Sequence, residues 1–419
     1  MERTSGNRNI DTLMTFIFFA LVLAGLLNIY SVEQSAGHEH IFELTSSFTR
    51  QLIFIGVSAF LFFLVMIIDV RFFINFSYPI YAATILLLAL TLVVGKEIAG
   101  SKSWIGIGVF SIQPSEFAKF GTALALARFI DTTDILITKK RHAFIGFMII
   151  GLPMILVLLQ RDYGSALVFV AFILVLYRQG LSGWFIYLPI AAAVIFLLAL
   201  LINTYVLIGV FALLGAGFVY FANSRKQAIT FAIIGFLFLS SFTFSVDYVF
   251  NHVLLPHQQS RINVLLGKEI DLKGAGYNVH QSLIAIGSGG FHGKGFLNGT
   301  QTKFNFVPEQ NTDFIFCTIA EEYGFLGSTL LVILFAGLLI HILLLSERQK
   351  LRYTRIYGYG IISIIFVHFM INLGMTLGLL PVIGIPLPLI SYGGSSLIAF
   401  SLMIAVFLKL EVEFRHYFN

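Results

Sequence analysis

Apolar runs of membrane-crossing length recur along almost the whole chain, and they leave little choice of fold. A helix that crosses a bilayer needs about 20 predominantly apolar residues. Runs of this kind are read near 12–31, 51–69, 73–94, 115–130, 143–160, 163–178, 184–202, 204–222, 228–246, 313–345, 356–379 and 389–409. The run 313–345 is too long for one straight span, and Gly324 is the expected break between a short leading piece and a full span. Only 11% of the 419 residues are charged, against about 25% in soluble domains. The expectation is an all-α polytopic membrane protein, a single integral membrane domain over 1–419 with 10–12 spans. The single Cys317 excludes an internal disulfide and a cysteine metal cluster, and reads as packing. Met1 to Ile10 carries no cleavable-signal pattern, and the run that follows is long enough to stay as a span.

Basic residues fix the orientation. Cytoplasmic loops carry an excess of Lys and Arg. With Arg3 and Arg8 placed inside, Lys139, Lys140, Arg141, Arg178, Arg225, Lys226, Arg348, Lys350, Arg352, Arg355, Lys409, Arg415 and His416 all fall on the same side. Both termini are then cytoplasmic, and the loops 32–50, 95–114, 247–312 and 380–388 lie outside. The net charge of +5 is absorbed by this orientation signal, so nucleic acid is not the expected partner.

Polar residues inside or against the spans are costly, and each is a functional candidate. The polar stretch 247–312 ends in Val307-Pro308-Glu309-Gln310-Asn311-Thr312-Asp313, where an apolar helix starts again. Asp313 either complements the helix dipole in the first turn or stands at the membrane boundary as a proton acceptor. Glu116 and Lys119, at i,i+3 behind Gln113 and Pro114, share one helix face as a locking ion pair or as site residues. Gln160-Arg161-Asp162 is either a plain polar turn or a place to hold a cation or orient a basic residue. At least one of Glu321 and Glu322 faces the bundle interior, for packing, for chemistry or to meet a loop cation. Gly287-Ser288-Gly289-Gly290 and Gly293-Lys294-Gly295 lack the strand and the Lys-Ser/Thr ending of a nucleotide loop. They read as a re-entrant turn or a backbone cradle for a pyrophosphate. His38, His40, His252 and His257 do not form a zinc spacing. Residues 384–396 interrupt the last apolar stretch, and irregular backbone at that depth must be covered by protein or line a watery cavity.

An enzyme with its site outside has no cytoplasmic ATP, so its substrate must arrive already activated in the membrane, as a lipid pyrophosphate does. The motifs Gly100-Ser101-Lys102-Ser103-Trp104, Gln113-Pro114-Ser115-Glu116, Asp162-Tyr163-Gly164-Ser165, Gly274-Ala275-Gly276-Tyr277, Ile286-Gly287-Ser288-Gly289-Gly290, Pro308-Glu309 with Thr312-Asp313-Phe314-Ile315-Phe316, and Pro388-Leu389-Ile390-Ser391-Tyr392-Gly393-Gly394-Ser395 resemble, in order, those of the SEDS family (shape, elongation, division and sporulation proteins). Gly299-Thr300-Gln301 and Pro381-Val382-Ile383-Gly384-Ile385-Pro386 resemble its elongation branch rather than its division branch.

The resemblance implies a peptidoglycan glycosyltransferase that polymerises lipid II on the outer face of the bacterial cytoplasmic membrane. It maps the family's essential acidic residue onto Asp313, as the catalytic residue, and other family positions onto Glu116, Lys119, Asp162 and Arg261. An inverting transfer follows, with Asp313 as general base on the 4-hydroxyl of the acceptor sugar. Lys119, Arg261 and Lys294 are expected to offset the undecaprenyl pyrophosphate that leaves the glycan, with Glu116 orienting Lys119. Ser103 stands where the family has Arg, with Lys102 the candidate substitute. Gly267-Lys268 and Asp271-Leu272 replace the usual Asp-Pro pairs, and 204–246 is read as an extra helix pair. The candidate cofactor is a divalent cation, Mg2+ or Mn2+, at Asp162, and no nucleotide is expected. The implied protein partner is a class B penicillin-binding transpeptidase. Rival readings are a flippase for the lipid-linked precursor, a division-type polymerase, and a scaffold for other wall enzymes.

Overall fold

The computed structural model describes residues 11–35, 43–98, 100–108, 110–132, 137–268, 275–304 and 306–418, and the side chains among them except at 35, 107, 257, 275 and 414–418. Arg3, Arg8, His38, His40, Asp271, Leu272 and Gly274 lie outside these residues, as do the side chains of His257, Arg415 and His416. The chain divides into two compact units, one of residues up to Leu181 together with those from Asn278 onward, the other Ser182–Tyr277.

The first unit opens with α1 (Thr12–Ser35), α2 (Ser47–Ile67), α3 (Val70–Asn75) and α4 (Ser77–Val94). Asp69 caps α3 by accepting from Arg71 N at 2.7 Å. Three short antiparallel strands follow, β1 (Lys96–Ile98), β2 (Ser101–Ile107) and β3 (Phe110–Ile112), with Lys96 opposite Trp104 and Ile105 opposite Ile112. Among the described residues they are the one departure from an all-helical reading. Next come α5 (Pro114–Asp131), α6 (Lys140–Leu159), α7 (Tyr163–Phe169) and α8 (Phe172–Arg178). Pro114 opens α5, where its missing N–H has no helical partner to lose.

The second unit holds α9 (Trp184–Leu201), α10 (Thr204–Phe221), α11 (Arg225–Tyr248), a single π turn (Val249–Val253) and α12 (Pro256–Leu265). In it α11 packs on both α9 and α10. Beyond lie α13 (Ala275–Gly289), α14 (Thr300–Lys303), α15 (Ile315–Arg348), α16 (Arg352–Thr376) and α17 (Gly394–Phe418). The described residues of the polar stretch 247–312 are thus more than half helical.

Among the described residues, ten helices are long and apolar enough to cross a membrane. The other two expected spans are helices of a different kind. α5 carries Glu116, Lys119, Arg128 and Asp131, and 163–178 is divided into the two short helices α7 and α8. In the apolar windows of α16 and α17, 72% of residues are buried, against 17% in α2 and 22% in α4 and α6. α16 and α17, together with the almost wholly buried α5, therefore form the centre of the first unit, and the others present apolar surface outward.

Gly324 breaks α15 as its sequence suggests, with φ 64 and ψ −157. The break lets the 289–295 turn cross the helix at backbone contact. Lys294 N donates to Glu321 O at 3.0 Å, Gly295 N to Glu322 O at 2.9 Å and Phe325 N to Gly290 O at 2.9 Å. A Cβ at Gly293 would overlap Glu322 O, and one at Gly324 would overlap Gly293 N. Both glycines also have positive φ. Gly324→Ala should therefore cost about 1–3 kcal/mol from backbone strain alone, read as a lowered melting temperature in detergent. Gly287→Ala, in α13 with nothing within 4 Å of its Cβ, should be neutral or stabilising by about 0.5–1 kcal/mol.

Candidate active site

The starts of α5, α15 and α17 gather at one end of the first unit, and a single non-helical segment, 383–392, runs among them. Its stitching begins with Asn372 on α16, whose Nδ2 donates to Asp313 O and to Ile385 O, both at 2.8 Å. Ser391 Oγ donates to Thr312 O at 2.5 Å and accepts from Leu387 N at 2.8 Å. Tyr392 N donates to Asn311 O at 2.8 Å. The irregular backbone is covered by protein, as its depth in an apolar stretch demands.

Asp313 is half-buried in the turn that leads into α15. Gly384, at φ 79, lies directly against its carboxylate: a Cβ there would stand 3.2 Å from Asp313 Oδ2. The start of α7 packs on the same segment, since a Cβ at Gly164 would stand 3.2 Å from Ile383 O and 3.4 Å from Gly384 O. Asp162 caps α7, with Oδ1 accepting from Ser165 N at 3.0 Å and Oδ2 from Gln113 Nε2 at 2.8 Å. Gln113, just ahead of α5, also donates its backbone N–H to Ser395 Oγ at the start of α17, at 2.9 Å. Asp313, Asp162 and Gln113 are therefore brought together through residues 383–395, although they lie far apart in sequence.

Glu116 and Lys119 form the i,i+3 ion pair expected of them, at 2.7 Å. Lys119 is fully buried. Its Nζ also lies 2.9 Å from His368 Nε2 and 5.6 Å from the ring centroid of Phe400. His368 Nδ1 is 3.2 Å from Pro386 O. Both contacts are satisfied when Nδ1 carries the proton and Nε2 accepts from Lys119, a tautomer assigned from the partners. This chain of contacts ends on the segment that supports Asp313. The expected contact between Lys119 and a substrate pyrophosphate is not available in this arrangement, because the ammonium lies inside the bundle.

The other cations are engaged elsewhere. Lys102 Nζ donates to Val93 O at the end of α4, at 3.1 Å, and Lys102 N donates to Gln160 O at 2.9 Å. Lys294 Nζ pairs with Glu321 Oε1 at 2.7 Å. The Glu321 carboxylate also accepts from Gln301 N, Thr302 N and Thr302 Oγ1, at 2.8, 3.0 and 3.0 Å. That is the interior carboxylate meeting a loop cation, and it anchors 294–302. Glu322 accepts from Ser31 Oγ on α1. Arg261 stands half-buried on α12 of the second unit. Among the described residues, no three His, Cys, Asp or Glu side chains gather to hold a metal. His368, Asn372, Ser391 and Ser395 are site residues that reading the sequence missed. The available signal was a stripe of polar residues, His368, Asn372 and Thr376, at i, i+4 and i+8 within an apolar span.

Fold and site together define a multi-pass membrane protein with a half-exposed acidic site set among helix N-termini. The family model described as "Cell cycle protein", of FtsW, RodA and SpoVE, matches residues 11–207 and 177–416. The chain belongs to this family. It is 33% identical over 441 residues to "Peptidoglycan glycosyltransferase RodA" of Treponema pallidum, covering 99% of each chain. It is 36% identical over 320 residues to "Peptidoglycan glycosyltransferase MrdB" of Escherichia coli, covering 76% of this chain and 73% of that one. A solved structure described as "Structural coordination of polymerization and crosslinking by a peptidoglycan synthase complex" contains a similar chain at TM-score 0.70 and 27% identity, with 98% of this chain and 99% of that chain covered.

Proposed function

We infer that the chain is a peptidoglycan glycosyltransferase of the elongation type, which polymerises lipid II into glycan strands at the outer face of the cytoplasmic membrane. The observation that carries the mechanism is the Asp313 carboxylate lying half-exposed against Gly384, over a backbone fixed by Asn372 and Ser391. The growing strand is the donor and the incoming lipid II the acceptor. Asp313 accepts the proton of the acceptor 4-hydroxyl as that oxygen attacks the anomeric carbon of the donor. The new glycosidic bond forms as the bond from carbon to pyrophosphate oxygen breaks, with inversion, and undecaprenyl pyrophosphate departs.

Negative charge grows on the departing group. The N-termini of α5, α15 and α17 carry partial positive charge and unpaired N–H groups that favour it. Lys119, held by Glu116, positions His368 and through it residue 386, a support beneath the site rather than a contact with substrate. With no three-ligand cage among the described residues, a cation would be held by Asp162 and substrate pyrophosphate oxygens, as hard divalent ions commonly are. Mg2+ or Mn2+ bound there would offset pyrophosphate charge. The basic loops support cytoplasmic termini and an outward-facing site. The partner we assign is a class B penicillin-binding transpeptidase, a reading supported by the similarity to a chain of a synthase complex.

The test is purified protein in liposomes with dye-labelled lipid II, with and without a chelator and with and without the transpeptidase. Glycan ladders on a gel are expected. Label that moves between leaflets while no ladder forms would instead indicate a flippase.

A further inference from the structure

Arg161 occupies a backbone position that suits glycine, and its guanidinium has no partner among the described residues. At the end of α6, Arg161 N donates to Leu158 O at 2.9 Å and Asp162 N to Val157 O at 3.3 Å. This is the helix ending in which the residue after the cap turns left-handed, and Arg161 has φ 61. A side chain with a Cβ is disfavoured there, and glycine takes the position freely. Strained backbone of this kind tends to be kept where the side chain has work to do.

The surroundings suggest what that work is. Leu159 and Tyr163, on either side, are 63% and 48% exposed, so the turn sits where outward apolar surface meets the polar site. Asp162, the next residue, has its carboxylate engaged by Ser165 and Gln113 and makes no ion pair with Arg161. α7, which Asp162 caps, rests on the segment that holds Gly384 against Asp313. Three other cations of the first unit, Lys119, Lys102 and Lys294, are turned to Glu116, Val93 and Glu321. Arg161 is exposed and positioned differently from all three.

We propose that Arg161 docks the diphosphate of the lipid-linked substrate at the rim of the site, with the isoprenoid lying along the apolar surface beside it. A guanidinium offers parallel N–H donors to two phosphate oxygens, a match that an ammonium does not reproduce. The proposal rests on the chain acting on lipid pyrophosphates, and its test is arranged to fail separately from that reading.

Purified wild-type protein and Arg161→Gly are titrated with undecaprenyl pyrophosphate and, as an uncharged probe, undecaprenol. Arg161→Gly should weaken binding of the diphosphate about tenfold, which corresponds to about 1.4 kcal/mol. It should leave undecaprenol binding unchanged and the melting temperature equal or higher, because glycine relieves the left-handed turn. Arg161→Lys should fall between the two. Diphosphate affinity within threefold of wild type in Arg161→Gly overturns the proposal, as does an equal loss for undecaprenol. Polymerisation of lipid II by the wild type is measured alongside. A protein that forms no glycan yet shows the Arg161 effect on binding loses the proposed reaction and keeps the binding site.

Discussion

Asp313→Asn ends glycan formation from lipid II, with a fall of about 10²–10⁴-fold, the range that a positioned acid–base group contributes. Asparagine has the size of aspartate but cannot take a proton from the acceptor hydroxyl. The turn itself is held by backbone: Asn372 donates to Asp313 O, Ser391 to Thr312 O, and Tyr392 N to Asn311 O. None of these bonds uses the Asp313 carboxylate, so asparagine leaves them in place, and the variant should insert and fold. The measurement is a single-turnover assay on dye-labelled lipid II with the melting curve of the same preparation. Polymerisation at the wild-type rate by a well-folded Asp313→Asn protein would remove the base from the mechanism. A collapse of both activity and stability would instead make residue 313 structural.

Much of this arrangement is legible in the sequence, because the signals are local. Asn311 and Thr312 ahead of an acidic residue and an apolar run mark a helix start to within a few residues: α15 begins at Ile315 behind Phe314, so Asp313 stands in the turn before the helix rather than in its first turn. Gly324 in an overlong run marks a break, and the chain breaks at that residue. Glu116 and Lys119 at i,i+3 announce a pair, and they form one. What could not be read depends on contacts between segments far apart in sequence. The depth of Lys119 is set by α16 and α17, which bring His368 and Phe400 around it. The value of Asn372 lies in two carbonyls, those of Asp313 and Ile385, and nothing local to residue 372 points to either. The strands over 96–112 escaped because they are short and divided by Gly100 and Gly108, both with positive φ. α13 escaped because it is amphipathic rather than uniformly apolar, and so it did not read as a span.

The largest effect on stability is expected at Lys119. Lys119→Met leaves the Glu116 carboxylate buried without its cation, and Glu116 Oε2 already has no donor among the described residues. Removing one partner of a buried pair costs about 3–5 kcal/mol, mostly because the remaining charge is uncompensated. The variant should accumulate poorly or melt well below wild type in detergent. Glu116→Gln combined with Lys119→Met removes both charges at nearly constant volume and should recover most of that loss, since neutral replacements of buried pairs are often tolerated. Activity distinguishes the two roles of the pair. If Lys119 served the fold alone, the recovered double variant would polymerise lipid II as the wild type does. In the structure, however, Lys119 holds His368, and His368 lies against the carbonyl of Pro386, two residues from the glycine that faces Asp313. The double variant leaves His368 Nε2 without that donor, so the segment under the base loses its support. The expected outcome is a stable protein with a depressed turnover and an unchanged affinity for undecaprenyl pyrophosphate, because the buried ammonium does not reach the substrate. A double variant with full turnover would confine Lys119 to the fold, and one with lost diphosphate affinity would return it to the substrate contact that its burial argues against.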